Sequence, residues 1–162
     1  MMSIIGYGIL AAALFSVPMI YFIHSARFQD IYLLFIGNVL FGAAVSLFML
    51  RHIAVKKEGG STASMAMVGH LVAIFGIVIS CIIAFIALSV FIPDIFSSGK
   101  ADTVLMQSPS QQRGGKTDGL VLAIFMNAII GNISAGSFVS LIFAYTAKVN
   151  QTRDKESKFL KE

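Results

Sequence analysis

Residues 67–91 read MVGHLVAIFGIVISCIIAFIALSVF. The stretch holds no Asp, Glu, Lys or Arg, and its one ionisable ring, His70, stands close to its start. About 20 consecutive apolar residues cross the ~30 Å hydrocarbon core of a bilayer as a helix. Runs of this length are too long for buried strands. In lipid the backbone groups of such a segment have no water to bond, so they must pair within the segment, which selects the α-helix.

Working outward, residues 67–91 belong to an apolar run covering 65–92, and three more runs share its character: 3–23, 31–50 and 119–147. None of the four contains a charged residue. The chain is 57% hydrophobic and 12% charged, where a soluble domain carries about 25% charged residues. One core cannot hide that much apolar surface, so an apolar solvent is needed. The sequence therefore predicts an all-α membrane protein, with residues 1–162 forming one four-helix transmembrane domain of two hairpins. The third and fourth runs exceed a bilayer's thickness and should tilt or project from it. The first run is read as a membrane helix, not a cleaved signal: no basic residue precedes Arg27, and bulky His24 spoils the small-residue exit at Ser25-Ala26.

Basic residues near the helix ends set the expected orientation. Four spans place the N-terminus, the loop 51–64 and the tail 148–162 together. That side carries Arg51, Lys56, Lys57, Lys148, Arg153, Lys155, Lys158 and Lys161. The other carries Arg27, Lys100, Arg113 and Lys116. Both termini are thus expected in the cytoplasm (N-in/C-in), in a plasma or inner membrane whose anionic lipids attract the richer side. Nucleic acid is not an expected partner, because the cations sit between apolar runs and form no basic patch with interleaved aromatics.

The connections differ in kind. HSARFQD (24–30) reads as a tight external turn. Gly59-Gly60 breaks the chain before Ser61-Thr62, which suit the N-cap of the third helix. The external loop 93–118 is apolar in its first half and rich in Ser, Gln and Gly in its second, where mobility is expected. The tail 148–162 should prolong the fourth helix into the cytoplasm.

Each run has a stripe of small residues, which lets helix backbones approach in lipid. The third has Ala66, Gly69, Ala73, Gly76, Ser80, Ala84 and Ala87. The fourth has Asn132, Gly136, Ser140 and Ala144 at fourfold spacing, with Asn127, Gly131 and Ala135 on a neighbouring stripe. The second has Asn38, Gly42 and Ser46, and the first Gly8, Ala12 and Ser16, with Pro18 expected to kink or interrupt it. The polar intramembrane candidates are Asn38, His70, Asn127 and Asn132. The three amides either join helices by hydrogen bonds or line a polar route. His70 is read as an interfacial ring bonded to a neighbouring helix, a proton-responsive or substrate-contacting group, or a ligand paired with His52.

Cys81 lies within an apolar run and reads as a small buried hydrophobe. No Cys/His metal spacing and no catalytic constellation occur, so no cofactor or metal is assigned. Gly114-Gly115-Lys116-Thr117 lacks the upstream glycine of a phosphate loop. Two functions follow as expectations. One is a non-catalytic accessory or assembly subunit of a larger membrane complex, motivated by small-residue faces beyond what one bundle needs. The other is a small homo-oligomeric transporter or channel lined by Asn38, His70, Asn127 and Asn132.

Overall fold

The computed structural model describes residues 2–25, 27–55, 61–92, 95 and 119–159. Those residues are almost wholly helical and include no strand. Helix α1 runs Met2–Ser25, α2 Tyr32–Val55 and α3 Thr62–Phe91. A fourth rod is built of α4 (Leu120–Met126), a π-helical turn (Asn127–Gly131) and α5 (Asn132–Phe159). A short 3-10 turn, Phe28–Asp30, precedes α2. The expectations for 56–60, for the loop 93–118 apart from Ile95, and for the last three residues lie outside the described residues.

The helix ends follow local chemistry. Ser61 is extended, with φ −72° and ψ 152°. Its hydroxyl accepts the Ser64 N–H at 3.1 Å, while its carbonyl takes the Met65 N–H, also at 3.1 Å. It thus caps α3 as the sequence suggests. At the other end Ile92 leaves the helical region at φ −130°, ψ 79°. Pro93 follows it, and a residue before proline avoids the helical conformation. Gly119 starts α4 in the left-handed region at φ 78°, where a side chain would be strained. The helix α1 passes through Pro18 without interruption, unlike the break considered from sequence. Proline forfeits one backbone bond, a loss that membrane helices tolerate where neighbours pack around them. The tail carries α5 on to Phe159.

Contacts fix how the rods lie. Tyr7 meets Phe48 edge-on at 5.4 Å, and Phe15 lies under Gly37, so α1 and α2 are antiparallel. The helices α1 and α3 run parallel, joined at Gly8–Gly76 and, further along, by His24 edge-on to Phe91 at 5.6 Å. Gly69 faces Ser140 and Gly136 faces Ala73, so α3 and α5 are antiparallel. Finally Asn38 lies on Gly131 and Gly42 beside Ala135, which sets α2 parallel to the fourth rod. Each rod has two full neighbours, and α2 and α3 touch lightly across a diagonal.

The helices α1 and α3 approach closely. A Cβ on Gly8 would fall 2.9 Å from the Phe75 Cβ and 3.3 Å from the Gly76 nitrogen. A Cβ on Gly76 would fall 2.7 Å from the Phe41 ring and 3.2 Å from the Gly8 carbonyl. Close backbone approach of this kind associates helices in lipid, where apolar surface alone gives no drive. Inside lie Phe15, Phe22, Phe41, Met19, Met49 and Leu88. Outside, Val17, Phe35, Val39, Leu47, Val78, Phe85, Val90 and Phe138 are exposed on all four rods. An apolar shell of that extent suits acyl chains and would be an aggregation surface in water.

Candidate functional site

The polar candidates gather where the fourth rod departs from α-helical geometry. Residues five apart on an α-helix diverge by about 140° at 3.6 residues per turn. Asn127 and Asn132 should therefore lie on separate stripes. The intervening segment is a π turn, Asn127–Gly131, whose wider ring closes between residues five apart and brings the two amides toward one side.

The turn also answers a register problem. The buried positions of the rod recur every fourth residue: Leu120, Ile124, Ala128, Asn132, Gly136, Ser140 and Ala144. A fourfold repeat outruns the helix by about 40° per step, most of a revolution over that length. One π turn absorbs an extra residue, a correction of about 100°. On this stripe Gly136 and Ser140 face α3, at Ala73 and Gly69, while Gly131 and Ala135 on the neighbouring stripe face α2, at Asn38 and Gly42.

Gly131 is small for a local reason: a Cβ there would collide with the Asn38 amide, 2.9 Å from its Cγ. Asn38 is only 9% exposed and Asn132 is fully buried. Among the described residues, the Asn38 Oδ1, the Asn127 Oδ1 and both amide atoms of Asn132 have no hydrogen-bond partner. Ser80 is fully buried with its hydroxyl unpaired too. The α3–α5 register, continued two turns beyond Ala73–Gly136, places Ser80 level with the π turn. None of the three amides makes the interhelical hydrogen bond that a purely adhesive role calls for. The other stripe serines bond back along their own helices: Ser16 to the Ala12 carbonyl at 2.7 Å, Ser46 to Gly42 at 2.9 Å, Ser140 to Gly136 at 2.6 Å.

On one side the cluster opens to a groove of about 340 Å³ between α2 and the fourth rod, with Asn38, Asn127 and Gly131 among its lining residues. Phe35, Met126 and Ile130 also line it and are exposed on the bundle's outer face. Phe41, one turn beyond Asn38, is fully buried between Gly76 and Gly136, 3.6 Å from where a Gly136 Cβ would stand.

The structure does not bring His70 into this group. Its Nδ1–H donates to the Ala66 carbonyl of its own helix at 2.7 Å, and its helix meets α5 around Gly69–Ser140, away from the π turn. The bond runs within α3, not to a neighbouring helix. The His52 ring stacks on Phe48 at 5.4 Å. Sequence reasoning found Asn38, Asn127 and Asn132 but missed Ser80 as a polar member, reading it only as a small residue, and missed Phe41 as the buried aromatic next to the cluster. The signals were a serine on a buried stripe and an aromatic one turn from an intramembrane Asn.

Among the described residues, four helices long and apolar enough to cross a bilayer, Ser3–Ser25, Tyr32–His52, Thr62–Phe91 and Leu120–Val149, define the class: an integral membrane protein with a helical bundle. No protein-family profile, curated protein or solved structure matches the chain.

Proposed function

We propose that the protein is a small transporter or channel, acting as a homo-oligomer or alone, that accepts an uncharged polar group at Asn38, Asn127 and Asn132. The single observation behind this reading is Asn132, fully buried with neither amide atom paired. A buried unpaired polar group costs about 1–3 kcal/mol, so its retention beside a π turn favours a functional use; such turns occur often at functional sites. In the proposed setting the two hairpins cross a plasma or inner membrane with both termini cytoplasmic. Phe41 then closes the route on the cytoplasmic side of the amides. The test is solute flux in proteoliposomes, across a panel of uncharged polar solutes. Flux that Asn132→Leu abolishes while the bundle stays folded supports the reading, and absence of flux across the panel overturns it.

A second reading, an accessory subunit of a larger complex, rests on a different observation. Its original premise, spare small-residue faces, is weakened because Gly8, Gly69, Gly76 and Gly136 all face other helices of the same chain. The fourth span, however, has only 28% of its most apolar window buried, against 50% for the second. Phe138, Leu141, Ile142 and Tyr145 stand exposed along it, a face suited to another transmembrane helix. Mass spectrometry of the assembly extracted in mild detergent separates the readings: a monodisperse single chain counts against the subunit.

A further inference from the structure

We propose that the groove between α2 and the fourth rod takes a lipid-soluble quinone, entering sideways from the bilayer with a ring carbonyl on the Asn38 and Asn127 NH2 groups. The inference rests on the reading of the amide cluster as a recognition site and names its ligand class. The two ends of each amide stand differently. Both Oδ1 atoms are sealed inside the bundle, out of reach of a ligand in the groove. The two nitrogens are not among the sealed atoms, and neither makes a hydrogen bond within the described residues. For Asn38 the reason is local. Its nitrogen is the atom nearest to where a Gly131 Cβ would stand, and Gly131, which lacks one, lines the groove beside it. An amide NH2 donates and does not accept, so the ligand must present an acceptor.

Depth and charge narrow the acceptor. Asn38 is six residues inside the span that begins at Tyr32, and Asn127 seven inside the one that begins at Leu120. At 1.5 Å per residue both lie about 9–10 Å below the apolar boundary. Phospholipid headgroups and their ester linkages stay at the interface, outside the hydrocarbon core. The groove lining contains no Asp, Glu, Lys or Arg, so a phosphate drawn down to the amides would lose its hydration with no counter-charge, a cost of several kcal/mol. The acceptor therefore belongs to a molecule that dissolves whole in the hydrocarbon. A quinone ring carries uncharged carbonyls and no charged head. Phe35, Met126 and Ile130 line the groove and are exposed on the outer face, so it opens where acyl chains lie, and Phe35 offers an aromatic ring for the quinone to pack against. The volume of about 340 Å³, near the lower end of small-molecule sites, holds the ring and the first part of its tail and leaves the remainder among the lipids.

The test uses the full chain in phosphatidylcholine nanodiscs with a photoactivatable prenyl benzoquinone as probe. Crosslinks should map to α2 and the fourth rod around Asn38 and Asn127, and unlabelled quinone should displace them. The matching prenylbenzene, which lacks the carbonyls, should compete about tenfold less well, equivalent to 1.4 kcal/mol. Equal competition by the two overturns the proposal, and this comparison needs no variant to fold. Trioctanoylglycerol offers uncharged carbonyls without the ring; competition from it equal to the quinone's overturns the quinone as occupant. Asn127→Leu, at a half-buried position, should weaken crosslinking with helicity unchanged, and undiminished crosslinks in the folded variant also overturn the proposal. Polar-solute flux on the same preparation separates the two ideas. Flux without quinone binding removes the quinone alone, whereas loss of both removes the recognition site.

Discussion

Replacing Asn132 by alanine tests whether the amide cluster holds the bundle together. The side chain is fully buried between Ala128 and Gly136 on the inward stripe, and neither amide atom is bonded. If it joined helices, deletion would cost about 0.6–2 kcal/mol, the range for interhelical bonds in membranes. As observed, deletion removes an unpaired group whose burial costs about 1–3 kcal/mol. It leaves a void of roughly one water's volume, about 30 Å³, worth about 0.7 kcal/mol at 24 cal/mol per Å³. The balance runs from neutral to about 2 kcal/mol more stable. The assay is reversible unfolding in mixed micelles followed by far-ultraviolet circular dichroism, wild type beside Asn132→Ala. A loss greater than about 1 kcal/mol would refute the argument and restore the amide as an adhesive group.

Further predictions follow from the same contacts. Gly76→Ala pushes a methyl to 2.7 Å from the Phe41 ring and 3.2 Å from the Gly8 carbonyl; it should cost about 1–3 kcal/mol. Gly42→Ala meets nothing closer than 3.7 Å and should be tolerated in the same unfolding assay. Phe41→Ala should open the closed end of the amide cluster and raise solute flux in proteoliposomes, at a stability cost of about 3–5 kcal/mol; unchanged flux in a folded variant counts against Phe41 as the closure. Single cysteines introduced at Lys57 and Lys158 in a Cys81→Ala background should be shielded from a membrane-impermeant thiol reagent in intact cells, and one at Arg113 should react. Labelling of position 57 without 113 would reverse the proposed orientation, and labelling of both would overturn the four-span topology.

The four rods were legible because hydrophobicity over 20 or more residues is a property of the sequence itself. The Ser61 cap was legible for a similar reason: a serine after a Gly-Gly break has a local use that no distant residue overrides. Small-residue stripes correctly marked close approach, as at Gly8 and Gly76, but not which rod each stripe would meet. Reading them as spare faces therefore overcounted what was left for partners. The π turn was invisible to a stripe count, since α-helical periodicity separates Asn127 from Asn132. The fourfold repeat held the clue, in a spacing too long for a straight helix to keep inward. Whether an amide or imidazole bonds across helices depends on angles set by packing. Neither the unpaired Asn132 nor the bond from His70 back to Ala66 could be read from composition.

The seat that α1 takes on α3 has a consequence for biosynthesis. Gly8 and Gly76 leave the ribosome far apart in time: at about 5–20 residues per second the gap is on the order of 3–14 s. Through that interval the first helix has α2 beside it but lacks α3, so a nascent chain halted before α3 carries an unfilled glycine face. Quality-control proteases of the membrane would meet the protein at that stage, and slow decoding ahead of α3 would lengthen their opportunity.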